Sequence, residues 1–339
     1  MPNKDYILNF ATEILSIPSP SGYCMKVMDR VKEETKKYDL HFEKTIKGNG
    51  IITIPGKDEY VVGLSAHVDT LGAMVRSISS TTLKFTSIGG PIWATMDGEY
   101  CKVHTRDGLV YTGTILSVSP AAHVFKDSGT KDRKPETMEI RLDEIVKSKE
   151  DILKLGIAVG DFISIDPKTT ITKSGFIKSR FLDDKINVAS LFGFIDYLHR
   201  NKITPKHTIK IVISTYEEVG HGGSWIPEDI KEFIAVDMGC IGSDLTCTEY
   251  DVSICAKDSS GPYDYGITSE LIKLAKASKL QHAVDIYPFY GSDVSAALRG
   301  GNNIKGALIG PGVHASHGME RTHYQAIEST IKLLNEYTK

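Results

Sequence analysis

Cysteine is scarce in this sequence. There are five, Cys24, Cys101, Cys240, Cys247 and Cys255, and no two form a C-x-x-C pair. That count and spacing exclude a disulfide framework and a cysteine zinc site, and fit a reducing compartment. Excess charge of either sign is also missing, since 40 Lys plus Arg stand against 43 Asp plus Glu for a net charge of −3. The chain therefore has no electrostatic footprint for nucleic acid or an anionic membrane, which points to a small or peptidic partner. No window reaches about 18 uncharged apolar residues. The stretch 1–16 carries Lys4, Asp5 and Glu13 where a signal peptide would run from charged to apolar. A cytoplasmic location is the resulting expectation. Fixed-period repeats and low-complexity tracts are absent as well.

What is present is 339 residues, 41% of them hydrophobic and 24% charged, enough for two domains or one large domain with an insertion. Tyr6, Ile7, Phe10, Ile14 and Leu15 repeat at helical spacing, the run 18–22 breaks the pattern, and 25–38 resumes it. Strands are expected over 50–54 and 60–65, the second apolar enough for burial on both faces. From about 71 to 170 the texture changes to short alternating segments (83–87, 109–117, 138–142, 162–165) between Gly and Asp turns, with a polar loop at 126–134. After that the helix and strand alternation returns: helices 184–200, 264–280 and 324–337, strands 208–215, 233–236 and 304–309. The reading is an α/β fold, a mixed central sheet with helices on both faces. Residues 1–70 and 171–339 form the catalytic domain, and a small β-rich barrel occupies 71–170. Such an insert is expected to be removable without destroying the core of its host.

Five places gather metal-compatible side chains, four of them at or just after the end of an expected strand, where open α/β sheets bind ligands. His67 and Asp69 share one face of an extended segment, so the carboxylate can hold the far imidazole nitrogen. Asp183 and Asp184 precede a helix; one acid suffices as a cap, which leaves Asp183 free to bridge two cations. Glu217 and Glu218 follow a buried strand and would repel unless they share a cation or a proton. A division into one ligand and one general base resolves this. Asp237 closes another buried strand. Finally His314, His317 and His323, with Glu320 and Arg321, lie beyond the strand ending at Ile309, and spacing alone does not choose among the three imidazoles. The set amounts to two histidines and three carboxylates, sufficient for two divalent ions. Competing signatures, G-x-x-x-x-G-K-[ST], G-x-G-x-x-G, G-x-S-x-G and H-E-x-x-H, do not occur.

The segments SAHVDTLG (65–72), TRDGLVYTGTI (105–115), LGIAVGD (155–161), RFLDDKINVASL (180–191), TYEEVGHGG (215–223), AVDMG (235–239) and GSDVSAA (291–297) occur in the order seen in the M42 family of dinuclear metallo-aminopeptidases, the TET type, related to the M18, M20 and M28 peptidases. The chain resembles that family over most of its length. The resemblance implies one ion on His67, Asp183 and Asp237 and a second on Asp183, Glu218 and a C-terminal histidine, with Glu217 as general base and Asp69 orienting His67. The family's lone His before Ser-Pro is replaced here by GVHASHGMERTH, within which His317 keeps the register and Glu320 follows it by three residues. Zinc is the first expectation for both ions, with cobalt or manganese as alternatives. The resemblance further implies peptide substrates, a dimerisation role for the insert, and a homo-oligomer of dimers assembled into a tetrahedral dodecamer.

The activity implied is removal of N-terminal residues from peptides. The alternatives are deacylation of N-acyl amino acids at the same centre, an endoglucanase, and a non-catalytic binding protein. Glycoside hydrolysis ordinarily uses metal-free carboxylates, and the complete ligand set weighs against loss of catalysis. The pocket for the departing residue is expected from 220–225 and 259–265, segments that supply no decisive charge.

Overall fold

The computed structural model describes the whole chain, residues 1–339. Helix α1 (Lys4–Ser16) begins where the Asn3 side chain accepts the Tyr6 N–H, and it buries Ile7, Phe10, Ile14 and Leu15, which fall on one helical face. Then come α2 (Met25–Lys36), β1 (His41–Lys44), β2 (Gly50–Ile54) and β3 (Asp58–His67). β3 outruns the expected strand at both ends and finishes on His67 itself.

There the chain leaves the sheet. Strands β4 (Gly72–Ile78), β5 (Thr82–Ile88), β6 (Tyr100–His104), β7 (Val110–Ser117), β8 (Met138–Leu142) and β9 (Phe162–Ile165) close into a barrel in the order β4-β5-β8-β7-β6-β9. All neighbours are antiparallel. Helix α3 (Lys149–Lys154) lies in the connection before β9. β4 escapes an alternation test because Gly72, Ala73 and Val75 are all buried, so its first half lacks a polar face.

The chain returns through β10 (Thr170–Ile171) and β11 (Phe176–Ser179) to α4 (Leu182–Asn201), β12 (His207–Ser214), β13 (Ile230–Val236), β14 (Gly239–Cys240), β15 (Val252–Asp258) and β16 (Gly261–Pro262). It closes with α5 (Tyr265–Ala277), β17 (His282–Ile286), α6 (Asp293–Arg299), β18 (Lys305–Val313), β19 (Glu320–His323) and α7 (Tyr324–Thr338). The long helices lie close to their expected positions. β15, β17 and α6 were not anticipated. α6 has only seven residues, too few for a helical period to register.

The central sheet runs β1-β2-β12-β3-β13-β18-β15-β16, with β17 beside β15 and β14 beside β18. β12, β3, β13 and β18 are mutually parallel, β2 and β15 flank them antiparallel, and β17 runs parallel to β15. In β12, Ile209, Ile211 and Ile213 face the larger core while Val212 faces a smaller one; β13 divides Ile234 and Val236 from Phe233 and Ala235 in the same way. This is the continuous apolar character of strands covered on both sides. The larger core is shared with the barrel: Val75, Phe85, Val103, Ile115 and Ile163 belong to one apolar cluster with Leu64, Ile186 and Phe192. No helix is long and apolar enough to cross a membrane.

Candidate metal centre

Parallel pairing puts the C-terminal ends of the central strands level. His67 lies opposite Ser214, and Val236 opposite Ile309, so the residues ending β3, following β12 and following β13 meet at one edge of the sheet. Gly310 makes the approach possible there, because a Cβ at that position would sit 1.8 Å from the Asp237 carbonyl oxygen.

His67 is 1% exposed. Its Nδ1 lies 2.9 Å from the backbone carbonyl oxygen of Asp69; a carbonyl only accepts, so Nδ1 carries the proton and Nε2 is left as the ligating atom. The Asp69 carboxylate, expected to hold that nitrogen, is farther off, with Oδ1 at 3.6 Å. That carboxylate instead accepts the Glu217 and Glu218 N–H groups at 3.1 and 3.3 Å, and so fixes the turn carrying both acids. His67 Nε2 stands 3.1 Å from Asp183 Oδ1 and 3.7 Å from Glu217 Oε2.

Asp183 and Asp184 depart from helical geometry and are joined by a cis peptide bond. Asp184 is not a helix cap: its carboxylate accepts the His67 N–H at 3.1 Å and the Asn187 amide at 2.6 Å. Both oxygens are thereby occupied, making Asp184 a brace between β3 and α4. Asp183 turns its second oxygen toward His317, with Nε2 at 3.6 Å, and His317 Nε2 is 3.5 Å from Glu218 Oε2. Asp237 is buried, its Oδ1 accepting the Met238 N–H at 2.6 Å.

His317 is held from two sides. Its Nδ1 donates to the Gly90 carbonyl of the barrel segment at 2.9 Å, and its backbone N–H donates to Glu320 Oε1 at 3.0 Å. The other oxygen of Glu320 accepts the Asp183 N–H at 3.0 Å, so one buried carboxylate aligns two of the converging groups. Sequence reading noted Glu320 only as a neighbour of His317. The Gly90 contact has no local signal, because 227 positions separate the partners. The other two histidines lie elsewhere. His323 starts α7, accepting the Gln325 N–H on Nδ1 and donating from Nε2 to Ser174; the His314 backbone pairs with Arg321.

His67, Asp183, Glu217, Glu218, Asp237 and His317 are thus brought together. Ligand atoms of His67, Asp183 and Glu218 lie within 4.8 Å of one another, and so do those of His67, Asp184 and Asp237. Burial, followed by the charge of Asp183, pushes Asp237 up to about 7 and Glu218 well above the carboxylate range. Burial also drives Glu217 up. Burial opposes charge on His67, yet the Asp183 hydrogen bond and the surrounding acids hold it well above an ordinary imidazole. Glu218 Oε1 is buried without a hydrogen-bond partner. An unpartnered oxygen among crowded carboxylates and imidazole nitrogens is a donor set that divalent cations satisfy.

The cleft above this centre, about 230 Å³, is lined by Gly220, Phe289, Tyr290, Gly291, Ser292 and Arg299 besides the acids and His317. The segment 259–265, expected to line it, supports it from behind: Tyr263 donates to Asp258 or pairs with Ser292, and Ser259 donates to the Tyr290 carbonyl. Arg299 supplies the charge that the expected segments lacked.

Residues 48–333 match the family described as M42 glutamyl aminopeptidase. YhfE of Bacillus subtilis (strain 168) is 47% identical over 330 residues, 96% of this chain and 95% of its own. Among solved structures, the TET aminopeptidase of Thaumarchaeota archaeon SCGC AB-539-E09 superposes with a TM-score of 0.89 at 20% identity, covering 98% of this chain and 96% of that one. The Pyrococcus horikoshii TET1 peptidase, which can assemble into a tetrahedron or a large octahedral shell, gives 0.85 at 20% identity over 98% and 99%. With the family match spanning most of the residues and a 47% identical relative covered over nearly its whole length, this chain belongs to the M42 glutamyl aminopeptidase family.

Proposed function

We propose that this chain, a metal-dependent aminopeptidase by family, releases N-terminal residues from peptides in the cleft above Asp183, with two divalent ions as cofactors. His67, Asp183 and Asp237 would hold one, Asp183, Glu218 and His317 the other, and zinc is our first choice of metal for this N and O donor set. When bound, the ions would supply Lewis acidity and lower the pKa of water. Glu217 has a carboxylate that no protein donor occupies and a backbone N–H fixed by Asp69. In this reading it takes the proton of the attacking water and returns it to the leaving amine nitrogen. Asp69 and Glu320 act as positioning residues through the N–H groups they accept. The observation that carries the proposal is the Glu218 carboxylate, one oxygen of which lies within 4.8 Å of ligand atoms of His67 and Asp183 while its buried Oε1 has no hydrogen-bond partner.

The test is hydrolysis of a free-amine aminoacyl anilide against its N-acetylated form, with and without chelator. Cleavage of the free amine alone, lost on chelation and restored by metal, is expected. Preference for the acetylated form would instead make the centre a deacylase.

Our proposal extends to assembly and location. Residues 71–170 act as a dimerisation unit, and the dimers build a dodecamer. Tyr100, Leu109, Val110, Ile145 and Val159, all on the inserted segment, are exposed, and apolar exposure of this kind supports an interface. The tetrahedral assembly of the Pyrococcus horikoshii relative supports the larger particle. Light scattering decides between dodecamer, dimer and monomer. A cytoplasmic location is consistent with five free cysteines.

A further inference from the structure

Peptide hydrolysis calls for more than a base. As water adds to the scissile carbonyl, negative charge gathers on the carbonyl oxygen, and a fixed hydrogen-bond donor aimed there is among the largest contributions a protein makes to such a reaction. The carboxylates of the centre are acceptors when ionised. Its histidines are committed: Nδ1 of His67 and Nδ1 of His317 each donate to a backbone carbonyl, and their Nε2 atoms face carboxylates. Ser292 is taken up by Tyr263 and by the Ser295 N–H, and Arg299 is exposed at the far end of α6.

Tyr290 is the remaining side-chain donor, and no other phenol lines the cleft. Its hydroxyl donates to the carbonyl oxygen of Met238, the residue after Asp237, at 3.1 Å. That is longer than the usual O–H···O bond of about 2.7–2.8 Å, so the hydrogen is free to turn to a stronger acceptor. Burial first, then the charges of Asp237 and Asp183, push the phenol well above its ordinary range, which keeps the proton on the oxygen. The residue is also held in place. Its carbonyl accepts the Ser259 N–H at 3.2 Å and the Ser259 hydroxyl at 2.5 Å. Its ring packs against that of Tyr287 with centroids 5.2 Å apart, and Tyr287 is itself buried and hydrogen-bonded to Ser253. A donor fixed before the substrate arrives needs no reorganisation during the reaction.

We propose that Tyr290 is a catalytic residue: its hydroxyl donates a hydrogen bond to the scissile carbonyl oxygen as that oxygen becomes an alkoxide. This rests on the aminopeptidase reading and adds a group to its chemistry. The water oxygen bonds to the carbonyl carbon as its proton passes to Glu217, and the carbonyl π pair moves onto the oxygen facing Tyr290. Tyr290 keeps its own proton throughout. The pair then returns to restore the carbonyl, the C–N bond breaks, and the leaving nitrogen takes the proton that Glu217 gives back.

The experiment compares the metal-loaded, full-length protein with its Tyr290→Phe variant, which keeps the ring and removes only the hydroxyl. Both are screened on free-amine aminoacyl p-nitroanilides, and the best substrate is carried into steady-state kinetics, with metal content by elemental analysis and the thermal midpoint measured alongside. Inhibition is measured with two probes bearing that substrate's side chain: the α-aminophosphonic acid, a tetrahedral anion, and the free amino acid, the planar product. Tyr290→Phe should keep two ions per chain and its midpoint while losing about 10²–10³-fold in kcat with KM changed by less than about threefold. Its inhibition constant for the phosphonic acid should rise by at least about tenfold, against less than about threefold for the amino acid. A kcat within about threefold of wild type, a loss confined to KM, or a phosphonic acid weakened no more than the amino acid overturns the assignment. Loss of an ion together with activity overturns it as well, because Tyr290 would then act by positioning Asp237. Failure of the wild type to cleave any free-amine substrate would remove the aminopeptidase reading, and this inference with it; wild-type cleavage that Tyr290→Phe leaves intact removes only the role of Tyr290.

Discussion

Glu217 and Glu218 are adjacent, and both are driven up by burial, yet their surroundings separate their roles. Glu218 lies within ligand reach of His67, Asp183 and His317, whereas the nearest imidazole to Glu217 is at 3.7 Å. Glu217→Gln is therefore expected to retain two ions per chain by elemental analysis and to lose about 10²–10⁴-fold in turnover, the usual cost of removing a positioned base. Metal loss in that variant would reverse the two roles. The histidines divide similarly. His317→Ala should lose one of two ions. His323→Ala should keep both and cost about 1 kcal/mol of stability, because His323 is an N-cap whose side chain accepts the Gln325 N–H. Spacing alone could not choose among these histidines, since their distances from Asp183 depend on the path of the loop after β18.

At the scale of elements, the barrel and the α/β sheet are tied together beside the candidate metal centre. Arg180, 2% exposed and three residues before Asp183, donates to Glu99 Oε2 at 2.6 Å and to the Thr95 carbonyl at 2.9 Å. The same stretch of the barrel segment supplies the Gly90 carbonyl to His317 and places the Ile92 N–H on the His317 carbonyl at 3.1 Å. Glu99→Ala would strand a buried guanidinium, at a cost of about 3–5 kcal/mol in urea unfolding. It should also weaken the ion assigned to His317 more than the ion assigned to His67 and Asp237, as read by metal titration. Equal weakening of both would mean that the lock acts on the fold alone. The sequence leads one to expect a removable insert because its alternation differs from that of its host. That alternation carries no information about which faces of the two parts meet, and the shared core with Val75, Phe85 and Ile163 makes excision expose apolar surface on both sides.

For the whole molecule, the acid cluster makes stability depend on pH in a direction that metal binding should alter. The folded-state pKa of Asp237 is raised from 3.8 to about 7, and those of Glu217 and Glu218 are raised as well. Such groups bind more protons folded than unfolded, so the stability they contribute is present below the unfolded pKa and is lost as pH rises through the folded one. The chelated protein is expected to lose thermal midpoint between about pH 4 and 7 by this mechanism, while added divalent metal restores more of it at pH 8 than at pH 5. A metal-dependent shift that is equal at the two pH values would show that the acids are not the groups the ion relieves.

Much of this protein can be read along the chain. β3, β12 and β13 are apolar because both faces of a central parallel strand are covered, and an acid or histidine just past such a strand stands out against that background. His67, Glu217, Glu218 and Asp237 were legible for that reason, Asp183 because two adjacent acids before a helix are one more than a cap needs, and the barrel by its change of texture. Other features exist only once distant segments have packed. Asp184 becomes a brace because the His67 N–H arrives beside it, Glu320 aligns Asp183 and His317 because β19 pairs with β11, and Arg299 enters the cleft because α6 packs beside the segment after β12. Local periodicity records which residues are buried; which buried or bordering residues meet depends on loop paths and strand order, and those are decided by the tertiary structure.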